Sequence, residues 1–324
     1  MKRIIRCTLP DSLPASVNVT DYLAGRFTYY DRKKWQKEID AGRIRINMKI
    51  AACSDILGAG DRIEYACPPL PEPPVNRRYK IIHEDAEVLV VDKPPGLPCH
   101  PHGRYFNNTL WALLKKERDT AYFSFINRLD RETSGLVLVA KNKKAAAACQ
   151  SQFKSRKVKK KYVAMVRGYF PYTLTAEGVL LSNEQSAIRH KKIFVSRARE
   201  SDELRGKEAV TVFRRLRAYN NLSLVEAFPL TGRQHQIRAT LEALNHHLVG
   251  DKMYGGDEGI FLRFIAGQLS RRDRHALLLQ RQALHAAEIF LLHPASGEPM
   301  QFTSPLPEDF LVMMGSETPS FLPP

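Results

Sequence analysis

Long apolar runs are missing from this 324-residue chain: no stretch approaches the ~18 uncharged apolar residues that a membrane-spanning helix requires, and no membrane association is expected. A secretory leader is missing as well. The start, Met1-Lys2-Arg3-Ile4-Ile5-Arg6-Cys7, is basic but has neither an apolar core nor a small-residue cleavage site, so a cytoplasmic protein is expected. Cysteine is sparse and odd in number. Cys7, Cys53, Cys67, Cys99 and Cys149 are widely spaced and include no C-x-x-C pair, which excludes a disulfide framework or a zinc knuckle and fits reduced thiols. Glycine-rich phosphate loops are absent: there is no G-x-G-x-x-G, no Walker loop and no internal repeat, so neither a nucleotide cofactor nor a solenoid is supported. The pairs His100/His102 and His246/His247 lack the i, i+4 helical spacing and the Cys or Glu companions of a metal site. No metal and no cofactor are expected.

Negative charge is also in short supply. Asp and Glu number 34 against 50 Lys and Arg, a formal net charge of +16, while 44% hydrophobic and 26% charged residues describe a folded globular protein. Such a surplus makes an acidic polymer the default partner, nucleic acid first among them. The charge is not confined to one tail. It forms dense runs at 154–161, 189–192 and 271–274 with Phe153, Tyr162 and Phe194 beside them, the interleaving of phosphate contacts with stacking rings.

The length suggests two domains. Five prolines in the seven residues after Cys67 prevent helix and sheet pairing and mark a semi-rigid spacer. The expected organisation is therefore a first unit over 1–66, a Pro-rich linker over 67–79, a second unit over 80–312 and a tail over 313–324. In the first unit the pattern predicts helices over 19–27 and 31–40, the latter capped by Asp31 and stopped near Gly42. Strands follow over 43–47 and 62–65. Arg32, Lys33 and Arg43 lie in this stretch, and the pattern R-K-K-W-Q-K-x-I-x-x-G-R-I-x-I-N followed by G-D-R-I resembles the S4-type RNA-binding domain. In the second unit short apolar runs bounded by turn signals predict strands over 87–92, 135–140, 162–166, 209–216 and 222–227, with helices over 145–154 and 234–245. This is an α+β fold built on a mixed, mostly antiparallel sheet, beside a small N-terminal α+β module.

The most informative stretch is Asn127-Arg128-Leu129-Asp130-Arg131-Glu132-Thr133-Ser134-Gly135, placed between an aromatic strand over 122–126 and an apolar one. A carboxylate flanked by two arginines on a loop between strands is biased toward its ionised form, as a carboxylate nucleophile needs. The stretch resembles the H-R-L-D-x-x-T-S-G signature of RluA-type RNA pseudouridine synthases. Further matches follow in order: Lys93-Pro94-Pro95-Gly96-Leu97 with K-P-x-G-L, Val158 to Tyr162 with V-x-K-x-Y, and Gly206 to Thr211 with G-K-x-A-x-T. Thr231 to Arg238 matches T-G-R-x-H-Q-I-R, Gly250 to Gly255 matches G-D-x-x-Y-G, and Arg281 to Ala286 matches R-Q-x-L-H-A. With the S4-type start, the resemblance spans roughly residues 12–312.

The resemblance implies an isomerase that needs no cofactor: the N1–C1′ bond of a uridine in RNA breaks, the uracil turns, and C5 bonds to C1′. Asp130 would be the nucleophile, attacking either C1′ or the base. Arg233 would pair with Asp130, and Tyr162 would stack on the base and serve as a proton acceptor at C5. Because a stacked uridine must be flipped out to reach such a group, Arg128 would enter the vacated space while Ile237 and Arg238 line the base and phosphate side. Ribosomal RNA of the large subunit is favoured over transfer RNA, and nothing demands more than a monomer. The alternatives are a transfer-RNA substrate or a non-catalytic RNA-binding module on the same fold. Asn127 in place of His, and Ala239-Thr240 after Q-I-R, depart from the family pattern, and residues 256–280 read as a substrate-specific insertion.

Overall fold

The computed structural model describes residues 4–13, 16–27, 30–68, 71–118, 122–188, 190–197 and 206–315. They divide into two compact units, 1–73 with 103–107, and 74–102 with 108–324. The predicted boundary shifts for a physical reason at each side. Glu72 accepts hydrogen bonds from the backbone N–H groups of Phe106 (2.9 Å) and Asn107 (2.8 Å), which draws 103–107 into the first unit. Val75 and Tyr79, assigned to the linker by sequence, pack into the core of the second.

The first unit runs β1 (Ile4–Thr8), β2 (Val17–Asn18), α1 (Val19–Arg26), α2 (Arg32–Asp40), β3 (Ile44–Ile46), β4 (Lys49–Ile50), β5 (Ile56–Leu57) and β6 (Arg62–Ala66). Its antiparallel sheet has the order β1-β6-β3-β4. Asp31 caps α2 as expected, accepting from Lys34 N at 2.7 Å, and Gly42 leaves the helix at φ 68°. Trp35 is fully buried beneath Tyr65, with ring centroids 5.2 Å apart. Glu38 is buried too, and it is compensated by Arg43 Nε at 2.5 Å, Tyr65 Oη at 3.0 Å and Lys34 Nζ at 3.1 Å. A buried carboxylate without such partners would be strongly destabilising.

The second unit continues with β7 (Lys80–Glu84), β8 (Val88–Lys93), α3 (Leu110–Glu117), β9 (Ser124–Phe125), β10 (Ser134–Ala140), α4 (Lys143–Lys154) and β11 (Lys159–Arg167). It is completed by β12 (Thr173–Ser182), β13 (Lys192–Ser196), β14 (Lys207–Tyr219), β15 (Leu222–Pro229), α5 (Gln236–Ala243), α6 (Glu258–Ile265), α7 (Arg271–Leu277), β16 (Leu284–Leu292), β17 (Pro299–Thr303) and α8 (Glu308–Met313). The sheet order is β13-β12-β14-β15-β11-β16-β10-β8-β7, with β9 added to β10 and β17 to β16. Among the described residues all pairings are antiparallel except β10 with β16, so the mixed, mostly antiparallel sheet read from the sequence is the one observed. Alternation sets its two faces. Leu89, Val91, Val137 and Val139 pack with α3 through Leu110, Leu113 and Leu114, while Val88, Val90, Leu136 and Leu138 pack with α4 through Cys149 and Phe153. Among the described residues no helix is long and apolar enough to cross a membrane.

Three sequence expectations change at element ends. The aromatic strand over 122–126 contracts to β9, because the side chain of Asn127 takes the next ladder positions: Oδ1 accepts from Leu138 N at 2.7 Å and Nδ2 donates to Leu136 O at 3.1 Å. The helix expected from Gln234 begins only at Gln236, since His235 sits in the left-handed region at φ 58°. Met314, assigned to the tail, is 1% exposed and closes a core cluster with Phe310; residues 316–324 of that expected tail lie outside the described residues. The stretch 256–280 folds as α6 and α7, the second opened by a Ser270–Asp273 capping box.

The single parallel pairing has a steric consequence. Gly135, at φ 107°, lies opposite Ala286, and a Cβ there would sit 2.2 Å from Ala286 O. Overpacking and an unfavourable φ add up to roughly 2–4 kcal/mol. Calorimetry of Gly135→Ala is expected to show the second unit melting well below the wild type, with the melting of the first unit unmoved.

Candidate active site

Three segments converge where β10 meets β16: the loop 127–133 before β10, the turn 229–236 between β15 and α5, and the start of β11. Together they line one pocket with Arg128, Asp130, Lys160, Tyr162, Arg233, His235, Ile237 and Arg238. The loop is pinned from below. Lys93, with no exposed surface, donates from Nζ to the carbonyls of Pro94, Leu97 and Arg131 at 3.0, 2.9 and 3.3 Å, and Gly96 N donates to Arg131 O at 2.8 Å. The K-P-P-G-L segment is thus the shelf on which the Asp130 loop rests. Glu132 anchors the other flank, accepting from Lys252 Nζ at 2.8 Å and from Gln282 N at 3.2 Å.

The turn after β15 owes its shape to one amide. Gln236, 4% exposed, accepts through Oε1 from Thr231 Oγ1 (2.7 Å) and Arg233 N (3.0 Å), and donates through Nε2 to Val210 O and Thr211 Oγ1. This clamp starts α5 with Arg238 facing the loop. The β11–β16 register shifts between Lys161 and Tyr162, with Ala287 the extra residue on β16; β11 itself alternates regularly, so Lys160 and Tyr162, two residues apart on one face, both line the pocket.

Asp130 keeps 34% of its side chain open to the pocket. Its Oδ2 accepts from Arg238 Nη1 at 2.7 Å and from Gln282 Nε2 at 3.3 Å, whereas Oδ1 has no hydrogen-bond partner among the described residues. His235 Nε2 lies 3.8 Å from Oδ1. Burial, the largest influence, would raise the Asp130 pKa, but the Arg238 charge together with His235 and the hydrogen bonds from Arg238 and Gln282 holds the carboxyl below its usual range. Arg238 is itself held by a second carboxylate. Asp251 takes Nε at 2.7 Å and Nη2 at 2.9 Å, and Asp251 also accepts from Met253 N and Tyr254 N. Burial opposes the Arg238 charge, yet the two carboxylates raise its pKa further still. Burial, with the negative charge of Asp130, pushes the Tyr162 phenol up to about 12.

The expected pairing of Arg233 with Asp130 is therefore corrected. Arg233 is exposed at the pocket mouth and donates from Nε to Glu208 O at 3.1 Å; Arg238, five residues later and one turn into α5, holds the aspartate. The T-G-R-x-H-Q-I-R stretch carries two arginines, and the left-handed residue between them, with the Gln236 clamp and the Asp251 partner, decides which one turns inward. Arg238, expected to line the base and phosphate side, is instead buried at 6% exposure and committed to two carboxylates. Ile237 lines the pocket while packing into the core behind it, and Arg128 is exposed at the rim. In the first unit Lys33 is exposed, Arg32 pairs with Asp21 at 2.6 Å, and Arg43 is committed to Glu38. Two pocket residues escaped the sequence reading. Lys160 has no carboxylate partner among the described residues, and burial lowers its pKa; its i, i+2 spacing from Tyr162 on a strand was the available signal. His235 is the other, and burial, reinforced by Arg238, pushes its pKa down to about 4.

Comparison with known proteins matches residues 87–243 to the RNA pseudouridylate synthase family model. The "Ribosomal large subunit pseudouridine synthase D" of Xanthomonas campestris is 31% identical, over 96% of this chain and 92% of that protein. The mitochondrial tRNA pseudouridine(32) synthase of Saccharomyces cerevisiae is 34% identical over 74% of this chain, which spans 51% of that relative. Among solved structures, human RNA Pseudouridylate Synthase Domain Containing 1 is 28% identical with a TM-score of 0.55, covering 72% of this chain and 86% of that one.

Proposed function

The chain belongs to the RNA pseudouridylate synthase family, and on that premise we propose that it isomerises uridines of large-subunit ribosomal RNA to pseudouridine. The observation that carries the reading is the unengaged Oδ1 of Asp130, a carboxylate kept ionised by Arg238 and open to the pocket. In this reading Asp130 is the nucleophile and Arg238 takes the pairing role that the sequence suggested for Arg233. Tyr162 offers its ring to the flipped base. A phenol pushed up to about 12 stays protonated at neutral pH, so Tyr162 acts as a stacking surface and O–H donor and is a poor proton acceptor. Ile237 supplies an apolar wall, and Arg128 at the rim is placed to fill the space a flipped uridine leaves. Arg233, exposed at the mouth, is suited to a phosphate.

Ribosomal RNA is favoured because the Xanthomonas relative bearing that name matches 96% of this chain, a share that takes in most of the first unit. That unit, through exposed Lys33 and the S4-type pattern, supplies a cationic docking surface. Pseudouridine mapping of total RNA from cells with and without this gene tests the reading. Loss of signal at large-subunit ribosomal positions is expected; loss at transfer-RNA positions would move the substrate, and an unchanged map would sink the proposal.

A further inference from the structure

A buried tyrosine decides which nitrogen of His235 carries a proton. Tyr254, in the loop between α5 and α6, has no exposed surface. Its Oη lies 2.8 Å from the Lys192 backbone N–H, which donates to it, and 2.9 Å from His235 Nδ1. Among the described residues this hydroxyl has no third hydrogen-bond partner. A phenol has a single hydrogen, and leaving it unpaired in a buried place costs about 1–3 kcal/mol. Lys192 N–H can only donate, so the phenol hydrogen goes to His235 Nδ1. That nitrogen is then the unprotonated one, and the hydrogen of the neutral ring sits on Nε2.

The groups facing the imidazole are Asp130, Arg238, Asp251 and Lys192. Burial and Arg238 hold the ring neutral, with a pKa of about 4. Its Nε2 faces the pocket 3.8 Å from Asp130 Oδ1, too far for a hydrogen bond to that oxygen. The backbone conformation is consistent with a functional constraint. His235 occupies the N-cap position of α5 at φ 58° yet makes no capping hydrogen bond, an unfavourable arrangement of the kind that persists at functional sites.

We infer that His235 is a further catalytic residue of this site: a neutral Nε2–H donor, fixed in its tautomer by Tyr254 and Lys192, that hydrogen-bonds a carbonyl oxygen of the uracil ring during isomerisation. The inference rests on the pseudouridine synthase reading. If Asp130 attacks C1′, the N1–C1′ bond breaks and its electron pair stays on the ring; if Asp130 adds to the ring, the displaced pair moves toward a carbonyl. In both routes negative charge collects on a uracil carbonyl oxygen, and a donor that keeps its proton stabilises it. Arg238 already gives three of its five N–H groups to carboxylates, one from Nη1 to Asp130 and one each from Nε and Nη2 to Asp251. A preorganised donor of this kind is worth about 10²–10³ in rate.

Nitrogen NMR of the full-length protein with labelled histidine, assigned through His235→Gln, reads the tautomer directly. A protonated Nε2 with a bare Nδ1 at neutral pH is expected; a proton on Nδ1, or on both nitrogens, overturns the inference. In single-turnover tritium release from 5-tritiated uridine RNA, His235→Leu is expected to lose about 10²-fold with RNA affinity kept within about twofold. His235→Gln, which retains an N–H donor, should recover part of that rate. Tyr254→Phe should lose about tenfold, the worth of one hydrogen bond, and mix the tautomers. A folded His235→Leu protein working at the wild-type rate overturns the inference while leaving the synthase reading intact. Wild-type protein that releases no tritium from any cellular RNA overturns both.

Discussion

Asp130→Asn is expected to abolish tritium release from 5-tritiated uridine RNA, by roughly 10⁴-fold or more, the scale on which enzymes lose rate when a nucleophile is removed. The substitution keeps the volume and one acceptor oxygen, so Arg238 retains a neutral partner here and its bidentate contact with Asp251. The fold should therefore survive, with a cost of about 1–3 kcal/mol for the weakened contact to a charged group. RNA affinity should hold or rise slightly, because a negative charge leaves a pocket rimmed by Arg128, Lys160 and Arg233. That combination separates an enzyme from a module that only binds. Turnover surviving in the variant would remove Asp130 from the nucleophile's role, and affinity collapsing together with the rate would show the carboxylate to be a structural group.

Most of the scaffold behind this prediction was legible because it depends on local periodicity. The apolar runs of β8, β10 and β15 are buried along most of their length, and Asp31 caps α2 as its residue type demands. Asp130 itself stood out, since an acidic residue between two arginines in a turn is unusual without any structure. The arginine was harder. Arg233 and Arg238 share one motif, and choosing between them requires the backbone at His235, the Gln236 clamp and the Asp251 partner, thirteen residues downstream of Arg238. Gly135 needed its parallel neighbour Ala286, distant in sequence, before its lack of a side chain became an explanation. Asn127, a departure from the family pattern, proves to be a ladder substitute that ties the loop to β10. Such facts are long-range, and no window along the chain contains them.

Arg238→Met is expected to be the most damaging single change to stability, because it leaves two carboxylates, Asp130 in the pocket and Asp251 buried behind it, with no charge between them. Asp251 has no exposed side-chain surface, and breaking a buried pair by deleting one partner costs about 3–5 kcal/mol. The sign of the pH dependence identifies the cause. In the wild type both carboxyls lie below their ordinary range, burial opposing and Arg238 prevailing, so their contribution to stability is present above the unfolded pKa and lost as pH falls through the folded one. Without Arg238, burial is opposed only by the Gln282 amide at Asp130 and the Met253 and Tyr254 N–H groups at Asp251, and both carboxyls rise. The folded state then binds more protons than the unfolded one, and stability is lost as pH rises through the raised values. Thermal melting should show the wild type losing stability only as pH falls below about 5, and the variant losing stability as pH rises from there toward neutrality. The rate should follow the same logic: an ionised Asp130 is needed, so the acid limb of the single-turnover profile moves to higher pH, and Arg238→Lys, which restores charge without the three-way fork, should bring it partly back. A variant whose melting and rate profiles keep the wild-type sign would mean that Arg238 does not set the ionisation of Asp130. Arg233→Met, tested beside it, is expected to leave both profiles where they are and to weaken RNA binding alone, since among the described residues its guanidinium reaches only the Glu208 carbonyl.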